Sequence, residues 1–314
     1  MTRHIRKTWL IAFILVQFLG FPLPAQAEDG ERQVEILPLV LSGADNHRFF
    51  TSTLSVMNLS TTSIEVAVAA FADGNGASII EEANATGVAA LVARTVLVLE
   101  PGEAIRRTLH PRIWASDLFP LRHAWLRLKS LDGGHFGASI RLTGLQATFN
   151  LDGSLDEVDV EQPAHSRRIQ SDVQVDSVSP SHHFKAMVTW DGPQLCLLNS
   201  LSAYAVVNPS NEIAEVRFRF LEKVAPGNWV LHEAHRRIPP RTRLALFISN
   251  IFPELFPVPG SLALCRDGAV HESGVLDVRA DQAIGVAALK VNMNTGHFVD
   301  LAVRVIEGPE TDLN

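Results

Sequence analysis

The fold is decided by LSVMNLSTTSIEV (Leu54–Val66) and by YAVVNPSNEIAEV (Tyr204–Val216), which aligns with it without gaps at an offset of 150 residues. The residues shared by the two stretches are Val56, Asn58, Ser60, Glu65 and Val66, which recur as Val206, Asn208, Ser210, Glu215 and Val216. Two further matches follow in the same order, Asp117–Pro120 with Glu254–Pro257 and Ser139–Asn150 with Ala283–Asn294. Three matches in one order predict an internal duplication with about 130 residues per copy.

Each copy has the pattern of β-structure. Apolar residues alternate with charged ones in both copies, as in Val216, Phe218 and Phe220, and in Ala124, Leu126 and Leu128, the latter interleaved with Trp125, Arg127 and Lys129. This period of two is typical of strands with one buried face, and Gly/Pro/Asp turn signals separate the strands. Helical patterns are confined to the short stretches Pro111–Phe119 and Ile248–Phe256. We therefore predict an all-β chain of two tandem antiparallel β-sandwich domains with an immunoglobulin-like build, at 28–165 and 166–314.

The first 27 residues have the pattern of a signal peptide. Three basic residues precede an apolar run, Trp9–Phe21, and Ala25-Gln-Ala27 is a small-x-small cleavage site. The 13-residue run is shorter than the ~20 residues that cross a bilayer. We predict cleavage after Ala27, a secreted or periplasmic location and no integral membrane segment in the mature chain. Removing three basic residues changes the net charge from −7 to −10, which disfavours nucleic-acid binding.

Two cysteines, Cys196 and Cys265, remain after the leader. In an oxidising compartment an isolated pair favours a disulfide, and this one would close a loop of 69 residues worth about 4 kcal/mol on the chain-entropy model. Two separate buried thiols are the alternative. No Cys-x-x-Cys redox motif is present.

The paired motifs resemble the tandem immunoglobulin-like β-sandwich repeats of bacterial secreted and envelope proteins. In such repeats an Asn-x-Ser corner joins two strands and a Pro-containing turn follows. The matching positions here are Asn58-Leu-Ser60 with Pro101-Gly102, and Asn208-Pro-Ser210 with Pro239-Pro240. The resemblance implies a role in adhesion, surface assembly or accessory binding, and it brings no catalytic residues.

Motifs for catalysis or metal binding are few. The chain has no Gly-x-Ser-x-Gly elbow, phosphate-binding loop or His-Glu-x-x-His helix. His232 and His235 would point to opposite faces of a strand, and the adjacent His182 and His183 would also diverge. The acidic stretch 152–161 (Asp152, Asp156, Glu157, Asp159 and Glu161) has oxygen ligands for calcium but lacks the loop glycine. We predict no catalytic residue, no metal site and no cofactor.

Aromatic and basic residues offer candidate binding surfaces. Trp114, Trp125, Trp190 and Trp229 could support a sugar, with Trp125 on the outward Arg127/Lys129 face, but covering a sheet edge is their more ordinary role. Arg106-Arg107 and Arg236-Arg237 lie near what would be equivalent edges of the two copies and would form either a patch for an anionic ligand or a partner, or separate surface ion pairs.

The sequence thus predicts an exported, non-enzymatic protein that binds a protein or cell-surface partner. The alternatives are a carbohydrate-binding accessory module, an envelope hydrolase with a triad assembled between domains, and a pilus-type periplasmic chaperone. The oligomeric state and the binding residues stay open.

Overall fold

The computed structural model describes residues 32–44, 48–72, 90–109, 122–146, 169–192, 199–225, 228–256, 270–292 and 297–306. Cys196, Cys265, Trp114, the acidic stretch 152–161, the leader and the stretch Pro111–Phe119 lie outside these ranges. The described chain is mostly antiparallel β-structure, as predicted. The helical segment expected near Ile248–Phe256 is confirmed as the α-helix α1, Ile248–Ile251, and a 3-10 helix, Pro253–Leu255.

Sixteen strands are described, and we divide them by chain order into two sets. The first set is β1 Val34–Ala44, β2 Arg48–Asn58, β3 Ile64–Ala72, β4 Ala90–Leu99, β5 Ala104–Leu109, β6 Arg122–Ser130, β7 Phe136–Gln146 and β8 Ile169–Asp176. The second set is β9 Ser181–Gly192, β10 Ser200–Val207, β11 Ala214–Ala225, β12 Asn228–Ile238, β13 Arg243–Phe247, β14 Val270–Asn292, β15 Phe298–Leu301 and β16 Val303–Val305.

The first set forms two layers that share β1. One layer has the order β4-β3-β6-β1, and the other contains β2, which pairs with β1, β5 and β7, followed by β8 on the far side of β7. β1 pairs with β6 from Val34 to Ser42, and its last residues, Gly43 and Ala44, pair with β2. A register irregularity between Leu37 and Val40 lies within the pairing with β6, and such a bulge bends a strand.

The second set repeats these pairings and adds one, between β16 and β9. β9 pairs with β10 and β14, β10 with β13 and β14, β11 with β12 and β14, and β14 with β15. The 23-residue strand β14 takes the positions of both β6 and β7, because its first half pairs with β11 and its second half with β10. In a constant-type immunoglobulin domain the last two strands are neighbours in one sheet. The last two strands of the first set, β7 and β8, also pair, but this one pairing does not establish the predicted immunoglobulin-like build.

A buried asparagine closes the corner after β2 and after β10. Both side chains are at most 1% exposed. Asn58 Nδ2 donates to Thr62 O and Leu99 O. Asn208 Nδ2 donates to Glu212 O, Ile238 O and Pro239 O. Each Oδ1 accepts the backbone N–H two residues on, from Ser60 or Ser210. These bonds give the repeated Asn-x-Ser motif its physical role.

Two more side chains make the same bonds in both sets. The buried Ser52 accepts Leu41 N–H and donates to Leu41 O, and Ser202 does both with Thr189. Asp132 accepts Glu65 N–H and Asp281 accepts Glu215 N–H, each at 2.8 Å. Each of these bonds joins residues that are distant in sequence, so it fixes one strand or turn against another.

The alternation predicted from the sequence places the core correctly. The inner faces of both layers in both sets contribute to one continuous hydrophobic cluster. Val216, Phe218 and Phe220 are at most 2% exposed, as are Ala124, Leu126 and Leu128. Burying each of the larger side chains contributes about 1.5–3 kcal/mol to folding.

Two of the sequence alignments need correction. Strand register matches Ile140 with Ala288, because the first pairs with Leu54 and the second with Tyr204, so the offset is 148 residues and not 144. The turn after the fourth strand matches Gly102 with Arg241, since both have positive φ, +74° and +56°. Pro101 therefore corresponds to Pro240, one residue later than the sequence alignment placed it.

Candidate functional site

Four large apolar side chains cross the outer face of the second set on adjacent strands. Met187, Leu221, Leu231 and Val275 are 46%, 43%, 49% and 53% exposed. Leu221 pairs with Leu231 and Val275 pairs with Met187, and one further step in the register of β11 and β14 places Leu221 opposite Val275. We call these four residues the apolar row. Trp229, 55% exposed, lies two residues before Leu231 on β12, which is an edge strand of the second set.

Charged residues occupy the rest of this face, and several of them form ion pairs. Beside the apolar row, Arg219 contacts Glu233 at 3.5 Å and Arg279 contacts Asp277 at 2.9 Å. His183 Nε2 lies 3.1 Å from the same Asp277. Burial lowers the pKa of His183 despite that carboxylate, and the hydrogen bond from His235 lowers the pKa of Glu233. An apolar strip bordered by charged residues has the anatomy of a protein-binding surface.

His232 and His235 lie on opposite faces of β12. His232 lies on the inner face of the sheet, where it contacts Glu222 at 2.9 Å and Glu254 at 3.4 Å. Its ring stacks on Phe220. His235 points to the outer face and bonds to Glu233. The opposite orientations are those expected from the strand alternation. Among the described residues no group of three or more His, Cys, Asp or Glu side chains is placed to hold a metal ion.

The adjacent His182 and His183 also diverge. His182 Nδ1 lies 3.1 Å from Ala280 O, whereas His183 contacts Asp277. Each histidine is thus engaged with a different part of β14.

Two of the tryptophans considered as sugar platforms are buried. Trp190 is 2% exposed and packs edge-on against Phe220 and Phe256. Trp125 is on the outer face of its sheet, as predicted, but it is fully buried because the second set covers it. The burial of Trp125 agrees with the more ordinary sheet-covering role, and among the described tryptophans only Trp229, at 55%, is exposed.

The arginine pairs do not form one patch. Arg237 contacts Glu215 at 2.8 Å, and Arg236 donates to the carbonyl oxygens of Asn250 and Ile251 in α1. Arg106 and Arg107 lie on β5, which occupies the place of β13, whereas Arg236 and Arg237 lie on β12. The two pairs are therefore not at equivalent edges, and the interpretation as separate local contacts holds for the second pair.

A cluster of three arginines at the junction of the two sets has no counterpart in the sequence interpretation. Arg94 and Arg127 flank Ala69 across three strands, and Arg127 lies over the Phe71 ring at 5.9 Å. Burial, followed by the positive charges of Arg241 and Arg94, lowers the pKa of Arg127. The cluster could be found only from the structure, since its members come from both sets.

No family model, curated protein or solved structure matches this chain. Among the described residues no helix has the length and apolar character needed to span a membrane. Sequence reasoning missed the apolar row, although Leu221 and Val275 carried a signal. Both fall at the outward positions of otherwise charged strand faces.

Proposed function

We propose that this protein is an exported, non-enzymatic binding module that binds a protein partner through the apolar row. The observation that carries the proposal is the row itself, four large apolar side chains on adjacent strands, each at least 43% exposed. Exposed apolar surface is unfavourable in water, and a partner that covers it gains free energy roughly in proportion to the area removed from water. The charged residues around the row would form the polar rim.

We further propose that the two strand sets are two copies of one sandwich domain. The repeated pairings and the repeated bonds of Ser52/Ser202, Asn58/Asn208 and Asp132/Asp281 support this duplication. Because β8 pairs with β7, the first copy would extend through Asp176. The domain boundary would then lie between β8 and β9, beyond the sequence estimate of 165.

The carbohydrate-binding alternative has weaker support. It needs co-facial exposed aromatic rings, and Trp125 and Trp190 are both buried. Trp229 beside the apolar row serves a protein interface equally well, because tryptophan is enriched at such surfaces.

Photo-crosslinking in the cell of origin tests the proposed function. A photoreactive amino acid is placed at Leu221 or at Val275, and matched controls carry it at Val98 and Val299, which are 58% and 48% exposed on other strands. We expect one or a few discrete protein adducts from the row positions and none from the controls. Equal labelling at all four positions, or no adduct at the row, would contradict the proposal.

A further inference from the structure

Within the chain, the second set already covers two aromatic residues on the outer face of the first set. Phe71 and Trp125 are paired on the outer face of the first set, with ring centroids 4.2 Å apart. Val207 of the second set packs into the same buried cluster as Phe71, Trp125 and Ile36. The Trp125 indole donates to Arg241 O at 3.3 Å.

Gly285 completes this contact. It is the pairing partner of Val207, and a Cβ added to it would lie 2.7 Å from Ile36 Cγ2. A side chain at this position would therefore push the two sets apart. We call Val207, Arg241 and Gly285 the second-set corner.

The apolar row of the second set occupies the position of Phe71 and Trp125. Val66 pairs with Ser130 in the first set, and its sequence match Val216 pairs with Ala280 in the second. Five residues further along each pair of strands lie Phe71 and Trp125 in the first set. The same step reaches Leu221 and Val275 in the second. The position of the Phe71/Trp125 pair is apolar in both sets but is covered only in the first, whereas Lys185 takes the register position of Ile36 in the second set.

The matching corner of the first set is also uncovered. Met57 corresponds to Val207, Gly102 to Arg241 and Gly137 to Gly285, and Met57 pairs with Gly137 as Val207 pairs with Gly285. Met57 is 45% exposed and Leu59 beside it is 61% exposed. We call Met57, Leu59, Gly102 and Gly137 the first-set corner. Gly137 leaves space for close approach, since only Leu59 Cδ1, at 3.6 Å, lies within 4 Å of an added Cβ.

We propose that a second copy of this chain docks its first-set corner on the apolar row, repeating between chains the contact made within the chain. The inference rests on the proposed function and names the partner as another copy. Two different surfaces meet in such a contact, so it is heterologous, and each added chain leaves a free corner at one end and a free row at the other. The assembly therefore grows head to tail.

Sedimentation velocity of the chain from Glu28 onward, between about 1 and 200 µM, tests the inference. This chain contains the whole compact unit 32–314. We expect the weight-average sedimentation coefficient to rise with concentration. Val275→Lys on the row and Met57→Lys on the corner should each weaken association at least tenfold, because each places a charge in the apolar contact. Val98→Lys, a matched exposed valine on β4, should leave association unchanged.

Mixing the two defective variants distinguishes a head-to-tail contact from a symmetric one. Val275→Lys keeps a working corner and Met57→Lys keeps a working row, so the mixture should form a one-to-one complex that grows no further. A row-to-row dimer would instead be defective in Val275→Lys and normal in Met57→Lys, which would overturn the inference. Circular dichroism and urea midpoints identify any variant that is unfolded, and Leu221→Lys and Leu59→Lys then replace it.

The outcomes also separate this inference from the proposed function. A chain that stays monomeric up to 200 µM, while row positions crosslink to a different protein, would overturn self-docking and leave the proposed function standing. A monomeric chain without crosslinks at the row would overturn both.

Discussion

The buried corner asparagine of the second set offers a quantitative test of the fold. Asn208 is fully buried, and its Nδ2 lies 2.6, 2.9 and 3.1 Å from the carbonyl oxygens of Glu212, Ile238 and Pro239. Its Oδ1 accepts the Ser210 N–H at 3.0 Å and the Ser210 hydroxyl at 2.7 Å. Replacing Asn208 by Ala removes all of these bonds at once.

The magnitude follows from two contributions. The amide has two N–H donors and one oxygen acceptor, and each satisfied bond contributes about 1 kcal/mol net, which gives about 3 kcal/mol. At least one buried partner, such as Ile238 O, would then be left without this donor, at a cost of about 1–3 kcal/mol. We expect Asn208→Ala to lower the free energy of unfolding by about 4–6 kcal/mol. Asn208→Asp should be at least as damaging at neutral pH, because it turns a carboxylate toward three carbonyl oxygens.

Urea denaturation followed by far-UV circular dichroism measures the effect. Asn211→Ala is the control, since Asn211 is exposed and its bond from Arg241 Nε is on the surface, and it should change stability by less than about 0.5 kcal/mol. Asn58→Ala should behave like Asn208→Ala, because its Nδ2 and Oδ1 make the corresponding bonds. A loss below about 1 kcal/mol for Asn208→Ala would refute the assignment of the Asn-x-Ser motif as a structural corner.

Three further predictions concern backbone strain, pH and the cysteines. Arg241→Gly should raise the free energy of unfolding by about 1 kcal/mol, because Arg241 holds a φ of +56° where the first set has Gly102, and a lower urea midpoint would show that this φ is unstrained. Burial lowers the pKa of His183 below its ordinary 6.5, so the unfolded chain binds the proton first and stability should fall as the pH drops through 6.5. His183→Gln should flatten part of that decline between pH 7.5 and 5, and parallel curves for the two proteins would contradict it. Gly192, four residues before Cys196, pairs with Val270, five residues after Cys265. We therefore expect a disulfide between the two cysteines, and replacing both by serine should cost about 4 kcal/mol. Finding two titratable thiols in non-reducing denaturant would exclude it.

The sequence alone predicts the strands and which face of each strand is buried. Alternation around Val216 and Leu126 identifies strands and the buried side of each, because the side-chain period of a strand is two. The same property explains the error in aligning Ile140. A shift of four residues keeps every side chain on its original face, so apolar matching alone cannot distinguish an offset of 144 from one of 148.

The surface was harder to predict because it depends on contacts between the two sets. Trp125 is outward by parity, and only the position of Val207 shows that it is buried. The turn at Arg241 was also misaligned with the turn at Gly102. A sequence indicates positive φ by a glycine, and in the second set an arginine adopts it. Leu221 and Val275 stand out in the sequence as apolar residues at outward positions, but only the strand pairing shows that they are neighbours.

The continuous strand β14 makes the two sets unequal as targets for cutting the chain. In the first set β6 and β7 are separated by 131–135, with Gly133 at a φ of +84° in an exposed turn. At the corresponding place in the second set, around Asp281, the chain runs unbroken through one strand from Val270 to Asn292. A protein split at Gly133 would present two fragments with complete strands at their ends, suited to reassembly by complementation. A split at Asp281 would sever a strand that pairs with β11 on one side of the cut and with β10 on the other, so fragment exchange should be harder there than at Gly133.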